Sequence, residues 1–271
     1  MDLRVLNPHL FPIVSDGPEA ILEFSVIDET DDYIVIAKPA PLIVHPSNGR
    51  VEPTLLCGLE QLLAFEMANG HKPAIITRLD RETSGLVLVG KHTDAARALA
   101  MSLQNRKAEK EYIAIVHGHP EWEEIDVDQP IIRQGLVMPS AIWLKRTVHP
   151  QGRESFTRFR CLRRWSNDLG DFSEISCHPL TGRTHQIRVH LAHLGLPIVG
   201  DKIYGTEESR FLQFIETGWT EELRRDLILP RQALHALRLK IPWRGAWCDW
   251  LCPPTDDLVR FAQGHPPANQ R

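Results

Sequence analysis

Short apolar runs separated by polar loops make up most of this chain of 271 residues. Two of them, residues 74–77 and 86–89, are too short for helices and rich in Ile and Val, which predicts buried strands. The polar loop between them, residues 78–85, holds several charges around one carboxylate, Asp80. Gly85 suits a tight return into the second strand. The pattern therefore predicts a hairpin that presents Asp80 rigidly.

The rest of the chain contains segments with the two-residue period of strands and segments with the spacing of helices. Alternation or short apolar runs predict further strands at residues 24–26, 33–37, 110–116, 153–162, 172–177 and 237–241. Helical spacing predicts a helix at residues 54–67, capped by Thr54, and another at 93–103, capped by Thr93. Residues 181–195 are predicted to be a loop that leads into a helix. Residues 207–226 are predicted to be a helical insertion. Residues 117–142 are rich in proline and acids and predict a turn and one hairpin.

Length and composition indicate a globular protein of two ordinary domains or one large one. No apolar run approaches the roughly 18 residues of a membrane span, and the N-terminus lacks the pattern of a secretion signal. We therefore expect a cytoplasmic protein. Its five scattered cysteines are expected to be reduced, without a zinc site.

Charge is distributed unevenly along the chain, although the net charge is only −4. Residues 16–32 hold seven acids and no Lys or Arg, whereas residues 145–188 hold nine bases against four acids. One face could therefore bind a polyanion, but an uneven solvated surface would give the same pattern.

Five strings in order along the chain carry a family resemblance. They are K-P-A-P-L-I-V-H-P at 38–46, R-L-D-R-E-T-S-G at 78–85, K-E-Y-I-A at 110–114, H-Q-I-R-V-H at 185–190 and R-Q-A-L-H-A at 231–236. Together they resemble the RluA-type RNA pseudouridine synthases. Two positions depart from that pattern: Pro41 stands where glycine is common, and Thr77 stands where most members have histidine.

The resemblance implies an α+β fold with a mixed, largely antiparallel central sheet, flanking helices and two sub-halves around a central basic cleft. It implies a catalytic domain at residues 23–263, after an irregular leader at 1–22 that is too short for the N-terminal RNA-binding domain of many members. Residues 264–271 are expected to form a flexible tail.

The resemblance also implies the activity: isomerisation of specific uridines to pseudouridine in a structured transfer or ribosomal RNA. Asp80 would be the catalytic residue, either as a nucleophile or as a base. Because no electrons or groups enter the product, no cofactor is expected. An adjacent arginine, Arg188 in the family pattern, would keep Asp80 ionised by lowering its pKa by roughly 1–3 units. Tyr112 would stack on the flipped base, and its hydroxyl could also serve in proton transfer at that base.

Three further residues are expected to bind RNA: Arg78, Arg183 and His185. Arg78 could fill the gap left by the flipped base, or could simply support Asp80. His185 would share a helix face with Arg188. The histidines at 185, 190 and 193 miss the i, i+4 spacing of zinc-binding helices, so no metal is expected.

Two other functions are compatible with the sequence. A non-catalytic RNA chaperone would use the same basic cleft, and a glycoside hydrolase would use Asp80 and Glu82 as its carboxylate pair. Residues i and i+2 of one turn are poorly placed to flank a sugar bond, which disfavours the hydrolase. We expect RNA as the partner, no membrane, no obligate protein partner, and a monomer.

Overall fold

The computed structural model describes residues 24–44 and 54–265. Within them the strands are, in chain order, β1 (Ser25–Glu29), β2 (Tyr33–Lys38), β3 (Ala74–Ile75), β4 (Ser84–Gly90), β5 (Glu109–His117), β6 (Glu124–Asp128), β7 (Ile131–Arg133), β8 (Arg146–Val148), β9 (Phe156–Asn167), β10 (Gly170–Pro179), β11 (Leu234–Trp243) and β12 (Ala246–Leu251). The helices are α1 (Leu55–Leu62), α2 (Ala64–Ala68), α3 (Thr93–Gln104), α4 (Gln186–His193), α5 (Glu208–Thr217), α6 (Glu221–Leu227) and α7 (Asp256–Ala262). The predicted leader and most of the predicted tail lie outside the described residues.

The chain divides into two compact units. The first comprises the residues up to Ala108 together with Arg238–Pro253, and the second comprises Glu109–Leu237 together with the residues from Pro254 onward. Strand β11 holds residues of both.

In the first unit β2 lies between β1 and β4, and each pairing is antiparallel. Strand β3 pairs antiparallel with the end of β4, and β12 pairs antiparallel with β11. The predicted hairpin around Asp80 is therefore confirmed. Alternate residues of these strands form one apolar core with α3, in which Val35, Leu88 and Leu99 are fully buried.

In the second unit β5, β10, β9 and β6 form a run of antiparallel neighbours. Strands β7 and β8 form a separate two-stranded sheet. A core beneath the larger run collects residues of α4 and α7, with Phe159, Phe172 and Leu191 fully buried.

The fold is α+β with mostly antiparallel strands and flanking helices, which confirms the predicted fold class. Among the helices of the described residues, none is both long and apolar enough to span a membrane.

Helix boundaries differ from prediction at two places. The predicted helix 54–67 is interrupted at Leu63, whose backbone leaves helical geometry, so that α2 turns away and leaves Phe65 79% exposed. Thr54 does cap α1, as predicted. Helix α3 is capped by His92, whose Nδ1 accepts from the amide of Ala95, and not by Thr93.

The hairpin predicted within residues 117–142 is wrong. Strands β6 and β7 are neighbours in sequence but do not pair with each other, because β6 pairs with β9 and β7 pairs with β8. Charge complementarity accompanies the first pairing: Arg158 of β9 donates to both carboxylate oxygens of Asp126 on β6, at 2.7 and 2.8 Å.

The acidic stretch of the first unit is partly internal. Strand β1 continues into the predicted acidic turn, where Asp28 accepts from the indole of Trp250 at 2.6 Å. Asp32 is buried and accepts from Trp243 and Arg244. These aspartates therefore contribute to packing as well as to surface charge.

The C-terminal third holds more elements than predicted. The insertion at 207–226 is two helices, α5 and α6, and both β12 and α7 were absent from the prediction.

Gly90, at the end of β4, allows α3 to approach closely. A Cβ at this position would lie 2.7 Å from the Cα of Ala96. We expect Gly90→Ala to lower the free energy of unfolding by about 1–3 kcal/mol, because rigid backbone would have to move. Gly135→Ala is the matched control, since a Cβ there meets nothing within 4 Å. Urea unfolding of both variants tests this, and equal stabilities would contradict it.

Candidate active site

The loop that carries Asp80 is closed by its own backbone. The amide of Thr83 donates to the carbonyl of Asp80 at 3.1 Å, which makes a tight turn just before β4. Gly85 has a φ of 111°, a conformation that side chains disfavour. Leu79 is buried, Asp80 is half-buried, and Arg78 is exposed. The buried leucine fixes the loop between the charged residues on either side.

A buried lysine ties this loop to the end of β2. Lys38 is 1% exposed, and its ammonium donates to the carbonyls of Pro39, Leu42 and Arg81 at 2.8, 2.9 and 3.2 Å. The amide of Leu42 donates to the same Arg81 carbonyl at 2.9 Å. Lys38 is therefore a buried structural residue that holds the Asp80 loop.

Thr77, one of the two departures from the family pattern, has a defined structural role. Its hydroxyl accepts from the amide of Leu88 at 2.8 Å, next to a hydrogen bond from the amide of Ile76 to the Leu88 carbonyl. The side chain thus extends the pairing of β3 with β4 by one further bond. Thr77, which is smaller than the histidine of the family pattern, therefore closes the base of the Asp80 loop with a hydrogen bond.

In the second unit Arg188 forms a buried ion pair. Its Nε and Nη2 donate to the two carboxylate oxygens of Asp201 at 2.7 and 2.8 Å, and the two side chains are 6% and 0% exposed. The amides of Ile203 and Tyr204 also donate to Asp201. Burial would raise the pKa of Asp201, but the charge and hydrogen bonds of Arg188 and these amides outweigh it and hold the pKa below its usual value.

Tyr204 joins Arg188 to His185. The Tyr204 hydroxyl lies 2.8 Å from Nδ1 of His185, and the Arg188 guanidinium lies 5.0 Å from the centre of the Tyr204 ring. His185 precedes α4 with a φ of 60°. The two predicted site residues therefore share one aromatic neighbour, although His185 lies before α4 and not on the helix face that their spacing predicts.

Gln186 holds the loop of Arg183. The carboxamide oxygen accepts from the Thr181 hydroxyl at 2.7 Å and from the Arg183 amide at 3.0 Å. Its nitrogen donates to the carbonyl of Phe156 and the hydroxyl of Thr157 at 2.9 Å each. This buried side chain satisfies four polar groups at once, which locks the turn into α4.

Tyr112 lies half-buried on β5, opposite Cys177 of β10. Two residues before it, the Lys110 ammonium donates to the Thr181 carbonyl at 3.0 Å. Burial, together with the nearby charge of Arg183, lowers the pKa of Lys110 to about 8. Two cations held close together with one partly desolvated would be stabilised by an anionic ligand.

One of the histidines of α4, His190, has hydrogen-bonding partners within the protein. Nδ1 of His190 lies 3.0 Å from the Thr157 hydroxyl, and Nε2 lies 3.0 Å from the Gln129 carbonyl. Burial lowers the pKa of His190, which favours the neutral ring as a packed hydrogen-bonding group.

The predicted residues thus fall into two groups. Arg78 and Asp80 share one loop of the first unit. In the second unit the structure brings Arg188 and His185 together at Tyr204, and places Arg183 near Lys110, two residues from Tyr112 on β5.

Three residues of this region were not among the predicted site residues: Lys110, Asp201 and Tyr204. Lys110 precedes Tyr112 by two positions on a strand, so alternation alone would place both on one face. Asp201 lies, with Lys202, in the mostly apolar stretch 198–204, a position that predicts a buried charge with a partner. No local pattern identifies that partner as Arg188.

Known proteins similar to this chain share one description. A model of the family described as RNA pseudouridylate synthase matches residues 32–193. The "Ribosomal large subunit pseudouridine synthase D" of Haemophilus influenzae is 36% identical over 246 residues, which cover 89% of this chain and 70% of that protein. The protein of the same name from Escherichia coli K12 is 35% identical over 247 residues, which cover 89% of this chain and 70% of that protein.

Two solved structures show the same fold. The protein titled "Human RNA Pseudouridylate Synthase Domain Containing 1" superposes with a TM-score of 0.65 at 24% identity, over 92% of this chain and 96% of that one. "Human RNA Pseudouridylate Synthase Domain Containing 4" superposes with a TM-score of 0.68 at 22% identity, over 88% and 91% of the two chains.

Removing the partner of Arg188 should destabilise the protein strongly. We expect Asp201→Asn to lower the free energy of unfolding by about 3–5 kcal/mol, because a buried guanidinium would lose its counter-charge. The double variant Arg188→Met, Asp201→Leu should recover part of this loss. Asp168→Asn, at an exposed position, is the control and should change stability by less than about 0.5 kcal/mol.

This effect should depend on pH. Because the folded pKa of Asp201 is lowered, its stabilisation is fully present above the pKa of about 3.9 of an unfolded Asp and is lost as the pH falls through the folded pKa. Urea unfolding across pH measures both effects. A single variant as stable as the control would show that the ion pair does not hold this site.

Proposed function

Since the chain belongs to the RNA pseudouridylate synthase family, we propose that Asp80 is its catalytic residue and that Tyr112 and Arg188 act on the same uridine. The protein is an RNA pseudouridine synthase, an isomerase, and the resemblance stated from its sequence motifs is confirmed. The observation that carries the residue assignment is that the family match spans residues 32–193, a range that includes all three positions.

The reaction requires a group such as Asp80. The bond between uridine N1 and the ribose breaks, the uracil rotates, and a new bond forms to C5, so the product has the atoms of the substrate. A carboxylate can attack covalently or remove a proton, and either role requires the ionised form. The placement of Asp80 in a loop tied down by Lys38 supports a fixed catalytic group.

Arg188 is suited to hold a defined orientation. Its bidentate pair with Asp201 fixes the plane of the guanidinium, and a planar fork can direct further donors at an anionic or polar substrate group. Lysine would supply the charge without that geometry.

Tyr112 serves the flipped base. Removing a nucleotide from its stack costs a few kcal/mol, and stacking on an aromatic ring returns about 1–3 kcal/mol. Lys110 and Arg183, close to each other near this strand, contribute positive charge for the RNA backbone. Arg78 is exposed next to Asp80, where its side chain can enter the space that the flipped base leaves.

The substrate is RNA of the large ribosomal subunit. Two relatives of at least 35% identity are named as ribosomal large subunit pseudouridine synthases, which supports ribosomal RNA over transfer RNA. We propose the cytoplasm as the protein's site of action.

Asp80→Asn tests the catalytic assignment. With RNA labelled with tritium at uridine C5, the unaltered protein should release tritium, and the variant should release it at least about 100-fold more slowly because no ionisable carboxylate remains. RNA binding by the variant should persist. Asp94→Asn, an exposed acid in the first turn of α3, is the control and should retain activity.

A variant with normal tritium release would refute the role of Asp80. An unaltered protein that binds RNA but releases no tritium from any transcript would instead favour an RNA chaperone.

Pseudouridine mapping in cells with and without the gene tests the substrate. We expect one or more sites to disappear from large-subunit ribosomal RNA while transfer RNA keeps all of its sites. Losses confined to transfer RNA would overturn the substrate assignment and leave the activity intact.

A further inference from the structure

A basic surface hairpin in the second unit is not explained by the residues assigned so far. It consists of β7, β8 and the loop between them, residues 131–148, and we call it the arginine hairpin. The longer stretch 129–153 contains no Asp or Glu and four bases, Arg133, Lys145, Arg146 and Arg153. A strand pair with so uniform a charge favours an anionic partner.

Two of these arginines face each other. Arg133 of β7 and Arg146 of β8 are directly paired in the antiparallel register. Like charges opposite each other destabilise a strand pair. Within the described residues, Nε of Arg133 and Nη1 of Arg146 are buried without a hydrogen-bond partner, which adds a desolvation cost. A phosphate group bound by the two guanidinium groups would relieve the repulsion between them.

An exposed tryptophan lies beside this pair. The guanidinium of Arg133 is 3.6 Å from the centre of the Trp143 ring, and Trp143 is 73% exposed. With a cation over one face and the remainder in solvent, the ring offers a flat surface for a nucleobase. Exposed apolar side chains continue around it at Leu136, Met138 and Leu144.

The loop of the arginine hairpin is held in place from α5. The carboxylate of Glu208 accepts from the Ser140 hydroxyl at 2.8 Å and the Ala141 amide at 2.9 Å, and pairs with Lys145 at 3.1 Å. Burial raises the pKa of Glu208, but these contacts outweigh it and leave the pKa lowered. Part of the insertion at 207–226 therefore fixes the loop before any ligand binds, which reduces the entropy lost on binding.

The arginine hairpin also adjoins the candidate site residues of this unit. The backbone amide of Arg146 donates to the Tyr204 hydroxyl at 2.9 Å, and the same hydroxyl contacts His185. A nucleotide at Arg146 would therefore lie beside the residues that contact Arg188.

We propose that the arginine hairpin binds the RNA substrate next to the target uridine, with one backbone phosphate between Arg133 and Arg146 and one unpaired base stacked on Trp143. The proposal rests on the proposed function and adds to it a substrate-positioning surface. RNA is favoured over an acidic protein segment because every nucleotide supplies both an anion for the opposed arginines and a flat ring for the tryptophan, whereas a peptide needs an acidic and an aromatic residue at the right spacing.

The test compares three variants, Arg133→Gln, Arg146→Gln and Trp143→Ala, with two controls. Arg158→Gln removes an arginine paired with Asp126 elsewhere in the same unit, and Trp247→Ala removes a tryptophan that is 59% exposed on β12. The ligand is an unmodified transcript of the large-subunit ribosomal RNA of the source organism. Dissociation constants are measured at several salt concentrations, and single-turnover rates are measured at saturating RNA.

Each arginine variant should lower the slope of log affinity against log salt by about 0.7–0.9, the loss of one phosphate contact. Trp143→Ala should weaken binding by about 5- to 150-fold. Both controls should bind as the unaltered protein does, and single-turnover rates at saturation should stay within about twofold. Arg146→Gln should be at least as stable to urea, because removing one charge relieves repulsion, so weaker binding would not reflect unfolding.

Variants that bind RNA as the controls do would overturn the proposal and indicate another partner for this surface. A slower single-turnover rate with unchanged affinity would also overturn it, because the arginine hairpin would then act on chemistry. If the unaltered protein forms no pseudouridine, the proposed function fails, while the binding comparison still decides whether the arginine hairpin holds RNA.

Discussion

The buried ion pair of Arg188 with Asp201 is the interaction on which the candidate site of the second unit depends. Neither charge tolerates burial alone, and together they are stable only in the bidentate geometry observed. The pair therefore joins α4 to the segment after it and sets the position of Tyr204. That tyrosine in turn contacts His185 and the backbone of β8. One electrostatic constraint orders side chains from three parts of the chain.

The Asp80 loop is also held in place by a buried charge. A second buried cation, Lys38, donates to three backbone carbonyls, one of them at Arg81 within the loop. Removing an ammonium from water is costly unless its donors are satisfied, so the carbonyls must keep their positions. Both segments that carry predicted functional residues are thus anchored by charges that solvent scarcely reaches. Such anchoring keeps the side chains of both segments in fixed orientations.

In the arginine hairpin, by contrast, two like charges lie opposite each other. Other charged residues of this unit have a partner of opposite charge, as Arg158 has in Asp126 and Lys145 has in Glu208. Arg133 and Arg146 instead face each other across two strands. Local conflicts of this kind, within an otherwise consistent structure, are typical of surfaces that bind a ligand.

The sequence by itself determined the family and several of the local elements. The hairpin around Asp80, the strand of Tyr112 and the helix of Arg188 follow from residue period and turn residues, which act over a few positions. The tertiary structure alone decided which strand pairs with β6, where the helix after Thr54 breaks, that Lys38 is internal, and that Asp201 is bound by Arg188. These features depend on contacts between residues far apart in the chain. The local sequence around one residue does not identify its distant partner.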